Sequence, residues 1–192
     1  MTQSKKMNDA TPAASIPPKE LDKNTEALGQ LLTTLSRSRI EEVLDIRYGL
    51  GGWAKESLRQ LSSVTRYVAW EADKRTYDLA YDGDDKISLF NDRFTPEMIE
   101  AEYTIDLLLA DFNLVTLRQK SLALEAAKLG PRYLVFTNVA CGKLRLNFRS
   151  YGLESADLDQ YWKQWEHELP GYELLDYVRA RHFASTGLFK KL

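Results

Sequence analysis

The apolar residues along the chain follow two periods. Leu28, Leu31, Leu32 and Leu35 stand at i, i+3, i+4 and i+7, the spacing of one face of an amphipathic helix. That helix is expected to break at 36–38. Ser38 then caps a second helix, with Ile40, Val43 and Leu44 as its stripe and Gly49 as its stop. The stretch 53–61 reads as a short helix with Leu58 and Leu61 inward. Ser62 and Ser63 make a turn, and a longer helix is expected from there to about Tyr81, lined by Val64, Val68, Ala72 and Leu79. Residues 87–90 read as a short strand. Thr95-Pro96-Glu97 combines a capping hydroxyl, a first-turn proline and an acid at the positive helix end, which predicts a helix to about Phe112. A further helical segment, 114–129, stops at Gly130-Pro131. Ser155 caps a helix carrying Leu158, Tyr161, Trp162 and Trp165, and after Pro170-Gly171 a last helix is expected over 172–183.

The clearest strand signals are 132–139 and 143–151, which flank Ala140-Cys141-Gly142; the first run carries Leu134 and Phe136 on one face and Tyr133, Val135 and Val139 on the other, a pattern that suits burial on both sides. In the second run Leu144, Leu146 and Phe148 alternate with Arg145, Asn147 and Arg149, so apolar and basic side chains face opposite ways. The short loop with glycine predicts a β-hairpin. Residues 1–20 hold Pro12, Pro17 and Pro18 and lack apolar periodicity, so they read as a disordered arm. The expected fold is therefore α+β: one mostly helical domain over 21–192 with a small antiparallel sheet at about 132–151. Within it, 21–81 is a helical subregion and 82–192 holds helices plus the hairpin.

Composition changes this picture little. With 192 residues, 44% hydrophobic and 28% charged, the chain is long enough for one sizeable core. No apolar run is long enough to span a bilayer, and the N-terminus lacks the apolar centre of a signal peptide. A single cysteine, Cys141, excludes an internal disulfide, and the expected location is cytoplasmic. The net charge is −2 but uneven. Residues 63–110 carry five basic and eleven acidic side chains, whereas 111–192 carry twelve and nine, a field that steers partners or ties the two halves together.

The words EEVLDIRYGLGG (41–52), followed by Leu58, Leu61, Val64-Thr65-Arg66, Val68, Glu71-Ala72 and Leu79, resemble the C-terminal helix-turn-helix domain of bacterial housekeeping sigma factors. The resemblance covers residues 40–80. It implies a second helix set in the DNA major groove, with Thr65 and Arg66 reaching the DNA first and Lys74 and Arg75 on its backbone. The basic hairpin face offers a second nucleic-acid surface: Lys143, Arg145 and Arg149 would track phosphates. The leading functional expectation is thus a nucleic-acid-binding regulator. The alternative is a non-enzymatic interaction module, such as an assembly component, an inhibitor or an immunity-type protein. It would capture a protein partner through Trp162 and Trp165 if these are exposed rather than core.

Enzymatic chemistry finds little support at this level. His167 and His182 belong to no recognised motif, Cys141 stands alone, and no zinc spacing or paired-carboxylate signature occurs. Asp82, Asp84 and Asp85 lack the spacing of a calcium loop. Gly49-Leu50-Gly51-Gly52 reads as a loop rather than a phosphate cradle, because no strand is expected before it. No catalytic residue, cofactor or metal is expected, and the oligomeric state is left open.

Overall fold

The computed structural model describes residues 23–80, 83–99, 103–112, 117–139, 155–179 and 184–192. Among the described residues, twelve regular helices and strands follow one another: α1 (Lys23–Thr34), β1 (Glu42–Asp45), α2 (Gly52–Gln60), β2 (Arg66–Trp70), α3 (Lys74–Leu79), β3 (Ile87–Phe90), β4 (Leu107–Phe112), α4 (Leu117–Ala127), β5 (Tyr133–Val139), α5 (Ser155–Glu168), β6 (Tyr172–Arg179) and β7 (Ala184–Lys191). A 3-10 turn, Pro96–Met98, lies between β3 and β4.

The strands form one seven-stranded sheet in the order β3-β2-β1-β4-β5-β7-β6. The first five positions are parallel, and β7 runs antiparallel between β5 and β6. Parallel strands need helical crossovers, so both faces of such a sheet are covered. Here the alternation of side chains feeds two cores. Val43, Tyr67, Ala69, Leu107, Leu109 and Val135 point to the face covered by α1 and α2, where Leu28, Leu31, Leu32, Leu35, Trp53 and Ala54 pack. Leu44, Val68, Trp70, Leu108, Ala110, Leu134 and Phe136 point to the other face, under α4 and α5. The result is a three-layer α/β sandwich.

This corrects the expected mostly helical α+β domain with a small hairpin. Leu107, Leu108, Leu109 and Ala110 are each fully buried, two toward each core. A strand buried on both faces has a continuous apolar run instead of alternation, and such a run mimics a buried helix segment. The same cause turned 40–48 and 64–73 into expected helices where the chain forms β1 and β2. The 132–139 strand is present as β5, but its described partners are β4 and β7. The second run of the expected hairpin, 143–151, lies outside the described residues, as does the arm 1–20. Residues 172–179, expected as helix, form β6. A register shift between Leu174 and Asp176 breaks the period-two signal there.

Trp162 and Trp165 anchor the second core. Both are buried, at 0% and 5% exposure. Trp162 lies 6.2 Å from Trp165 and 5.9 Å from Phe189 between ring centroids, and Trp165 lies 5.7 Å from Phe136. Gly187 of β7 makes room for them: a Cβ there would stand 2.6 Å from Trp162 Cε3. Trp165→Ala is therefore expected to destabilise the fold by about 3–5 kcal/mol in urea denaturation, the usual cost of emptying an aromatic core site. A loss below about 1 kcal/mol, within the range of surface substitutions, would contradict this placement.

Candidate functional site

The sheet reverses direction of winding between β1 and β4: the chain moves outward to β2 and β3 on one side, and to β4 and β5 on the other. Open α/β sheets bind ligands at the carboxyl ends of the strands beside such a switch point. At that place the turn after β1, Ile46-Arg47-Tyr48-Gly49-Leu50-Gly51, leads into α2. Gly49 and Gly51 have φ of 60° and 83°, a region that suits glycine and strains other residues. Gly51 is the N-cap of α2 and brings no side-chain cap. A Cβ on Gly49 would meet nothing within 4 Å, so the main chain is bare on that side.

Glu71, the first residue after β2, fastens this turn. Its Oε2 accepts from the Gly49 N–H at 3.0 Å and its Oε1 from the Asp73 N–H at 2.9 Å. Its own N–H donates to the Phe90 carbonyl at 3.0 Å, and Asn91 Nδ2 donates to its carbonyl at 2.9 Å. One residue thus links the ends of β1, β2 and β3. The Tyr48 N–H adds a bond to the Trp70 carbonyl at 3.0 Å.

Beneath the turn, Asp45 is fully buried. Its Oδ2 accepts from the Tyr67 hydroxyl at 2.7 Å and its Oδ1 from the Arg47 N–H at 3.0 Å. Burial pushes the Asp45 carboxyl from 3.8 up to about 6, against the lowering effect of those two bonds. Burial, with the facing carboxyl, also holds the Tyr67 phenol well above its usual range.

The strand ends enclose a cavity of about 650 Å³. Ile46 and Arg47 line it from β1's turn, Trp70, Glu71 and Asp73 from β2's end, Asp92, Arg93 and Phe94 from the segment after β3, and Ser121 and Leu122 from α4. Trp70 is held between Phe90, stacked at 5.5 Å, and Phe94, edge-on at 5.1 Å. Apolar walls with a few convergent polar groups, at this volume, are the features of a small-molecule site. Asp73 is already used as the cap of α3: its Oδ1 accepts from the Thr76 N–H and hydroxyl, and the main-chain bond, the larger influence, holds its pKa below the ordinary carboxylate range.

The residues expected to touch nucleic acid lie elsewhere. Thr65 precedes β2 and Arg66 opens it, at the amino end of the sheet, away from the cavity. The Arg66 guanidinium lies 4.9 Å from the centre of the Tyr103 ring. Lys74 and Arg75 are exposed on α3, and Lys74 pairs with Asp78 on the same helix. No helix-turn-helix brings these four together, because 66–70 is a strand. Lys143, Arg145, Arg149 and Cys141 lie outside the described residues. Trp162 and Trp165 are in the core. The residues that line the cavity were absent from the expected set, although their signal was present: an apolar run ending in Asp45, then Gly-x-Gly, then a second apolar run closed by Glu71.

No family model and no curated protein matches this sequence. Solved structures do match its fold. The methyltransferase domain of bacterial CtHen1-C superposes with a TM-score of 0.58 at 14% identity, covering 88% of this chain and 99% of that one. A putative RNA methyltransferase, PH1948 from Pyrococcus horikoshii, gives 0.57 at 14% identity, covering 88% and 83%. Magnesium protoporphyrin IX methyltransferase from Synechocystis PCC 6803, solved with bound S-adenosylhomocysteine, gives 0.60 at 10% identity, covering 88% and 84%. The chain has the Rossmann-like fold of these methyltransferases. That fold overturns the resemblance to a sigma-factor domain, and with it the readings as a DNA-binding transcription regulator or a non-enzymatic module. Among the described residues, no helix is long and apolar enough to cross a membrane.

The buried acid gives a pH prediction. Between pH 3.8 and about 6 the folded chain keeps a proton on Asp45 that the unfolded chain has released. The stability from this proton is fully present below pH 3.8 and is lost as pH rises to about 6. Its size is on the order of 3 kcal/mol. Asp45→Asn stays neutral, so its unfolding free energy relative to wild type should rise by about that amount between pH 4 and 7 in urea titrations. A difference that stays constant with pH would show that Asp45 does not titrate in this way.

Proposed function

We propose that the chain is an S-adenosylmethionine-dependent methyltransferase, with the adenosyl group bound in the cavity over β1, β2 and β3. One observation carries the reading: the carboxylate that closes β2, Glu71, lines that cavity and is hydrogen-bonded to the glycine turn after β1. Glu71 follows Gly51 by twenty residues. In doubly wound sheets a glycine turn allows close approach of a nucleotide-type ligand, and an acid about twenty residues on takes the ribose hydroxyls. The fold shared with methyltransferases supports the choice of adenosyl ligand.

The residues present fit such a group. Glu71 has given one bond from each carboxylate oxygen to the main chain. An ionised carboxylate offers about four acceptor sites, so it retains capacity for ribose hydroxyls. Asp92 is exposed on the cavity wall and would accept from the exocyclic amine of a base. Trp70, Phe94 and Ile46 supply apolar surface for the faces of the ring.

When bound, S-adenosylmethionine supplies a methyl group on a sulfonium centre, ready for displacement by a nucleophile. The protein's contribution is to hold and orient. The turn and Glu71 fix the nucleoside, and the apolar walls keep water from it. Asp111 lies in β4, near its carboxyl end, on the strand that flanks β1 across the switch point. A methyl acceptor would enter there.

Isothermal titration of the purified chain should show one site for S-adenosylmethionine and one, mutually exclusive, for S-adenosylhomocysteine. Glu71→Gln removes the charge from a hydrogen-bonding carboxylate and should weaken both by roughly tenfold or more. Absence of binding at millimolar ligand, with a folded protein, would overturn the reading.

A further inference from the structure

The sheet ends on one side at β6, the outer strand beyond β7. An outer strand turns alternate N–H and carbonyl groups away from the sheet, and such a row is a template for a strand of another molecule. β6 is long enough to serve as one: it runs eight residues, against four for β3 at the opposite edge. It also shows apolar surface, since Leu175 is 39% exposed.

The register tells which N–H groups face outward. The Lys191 N–H donates to the Arg132 carbonyl on the β5 side of β7, and the Leu192 N–H to the Gly171 carbonyl on the β6 side. Odd-numbered residues of β7 therefore bond toward β5 and even-numbered ones toward β6. Glu173, Asp176 and Val178 stand opposite Lys190, Leu188 and Thr186, so their N–H groups point inward. Tyr172, Leu174, Tyr177 and Arg179 stand opposite odd-numbered partners, and their N–H groups point outward.

Three of these four outward donors are already taken. The Tyr172 N–H donates to the Leu169 carbonyl at 3.1 Å. The Leu174 N–H donates to Glu166 Oε1 at 2.6 Å, and the Tyr177 N–H to Asp176 Oδ1 at 2.8 Å. Burial of Trp162 and Trp165 fixes α5 against the sheet, and this sets Glu166 over β6. The two carboxylates come from different elements and flank the exposed Leu175. The strand also shifts register between Leu174 and Asp176, so its outer row is broken at the same place. Bonds to an ionised acceptor are the stronger kind, and each leaves a negative charge where the carbonyl of an added strand would have to come.

We propose that Glu166 and Asp176 close the β6 edge, so that two copies of the chain do not join their sheets through it. A two-fold pairing of β6 with β6 would need the outward N–H groups for the partner's carbonyls, and it would bring the same acids of both copies together. The device acts on association and not on the cavity, which lies over β1, β2 and β3 toward the other end of the sheet.

The test is molar mass by light scattering behind size exclusion, from micromolar to near-millimolar chain, with melting temperatures as a check on folding. The mass of wild type should not change with concentration. That of the double variant Glu166→Ala, Asp176→Ala should climb toward about twice the wild-type value. Adding Leu175→Lys to the double variant should bring the mass back, because a charge on the outer strand opposes pairing there. A folded double variant with the wild-type mass throughout would overturn the proposal, as would a rise that Leu175→Lys leaves in place. A wild-type mass that itself rises, and falls again with Leu175→Lys, would show an open edge and reject it as well. Should Glu166→Ala fail to fold, Asp176→Ala alone decides, since Asp176 is exposed: a mass that stays at the wild-type value rejects the proposal.

Discussion

The carboxylate of Glu71 is the constraint on which the site depends. The turn after β1 needs two glycines at positive φ, and its own backbone reaches β2 through the bond from the Tyr48 N–H to the Trp70 carbonyl. Glu71 adds the side-chain hold by accepting from Gly49, and its second oxygen sets the start of the chain leading to α3. Its main chain is meanwhile pinned to Phe90 and Asn91 at the end of β3. Hydrogen bonds to an ionised acceptor are about twice as strong as neutral ones, so a single buried acid can organise three strand ends. The parallel sheet brings those ends to one edge, and the two cores keep the strands from moving relative to one another.

Charge is distributed on this scaffold with a clear division of labour. Asp45, wholly buried, serves the turn from below through Tyr67 and the Arg47 N–H. Asp73 serves α3. Glu71 is shared between scaffold and cavity, whereas Asp92 faces the cavity. Arg47 lines it from the turn after β1. The polar groups left over after the fold has taken its share are those a nucleoside ligand would use. The aromatic trio of Trp70, Phe90 and Phe94 fixes the wall against which a flat ring would lie.

The sequence displayed part of this plainly. The Leu28, Leu31, Leu32 and Leu35 stripe became α1, the Ser155 start became α5, and 87–90 and 132–139 became β3 and β5. α1, α5 and β3 each have one packed face, while β5, buried on both faces like β4, is marked by the Gly130-Pro131 break before it. The strands β1, β2 and β4 are short and buried on both faces, and Tyr67-Val68-Ala69-Trp70 or Leu107-Leu108-Leu109 carries no alternation to betray a strand. Reading them as helices hid the parallel sheet. It also hid the site, since Gly49 and Gly51 have meaning only after a strand, and Glu71 only at the end of the next one. The pairing of α5 tryptophans with Gly187 was equally invisible, because it joins residues distant in sequence.

The most direct measurement is a backbone amide correlation spectrum of the labelled chain, recorded with and without S-adenosylhomocysteine. The account predicts the largest shift changes at the amides of Arg47, Gly49, Gly51, Glu71 and Asp92, on the three joined strand ends. Resonances of α1 and of the amino ends of β1 and β2 should stay in place. A spectrum unchanged at saturating ligand, or changes confined to the amino edge around Thr65 and Arg66, would contradict it.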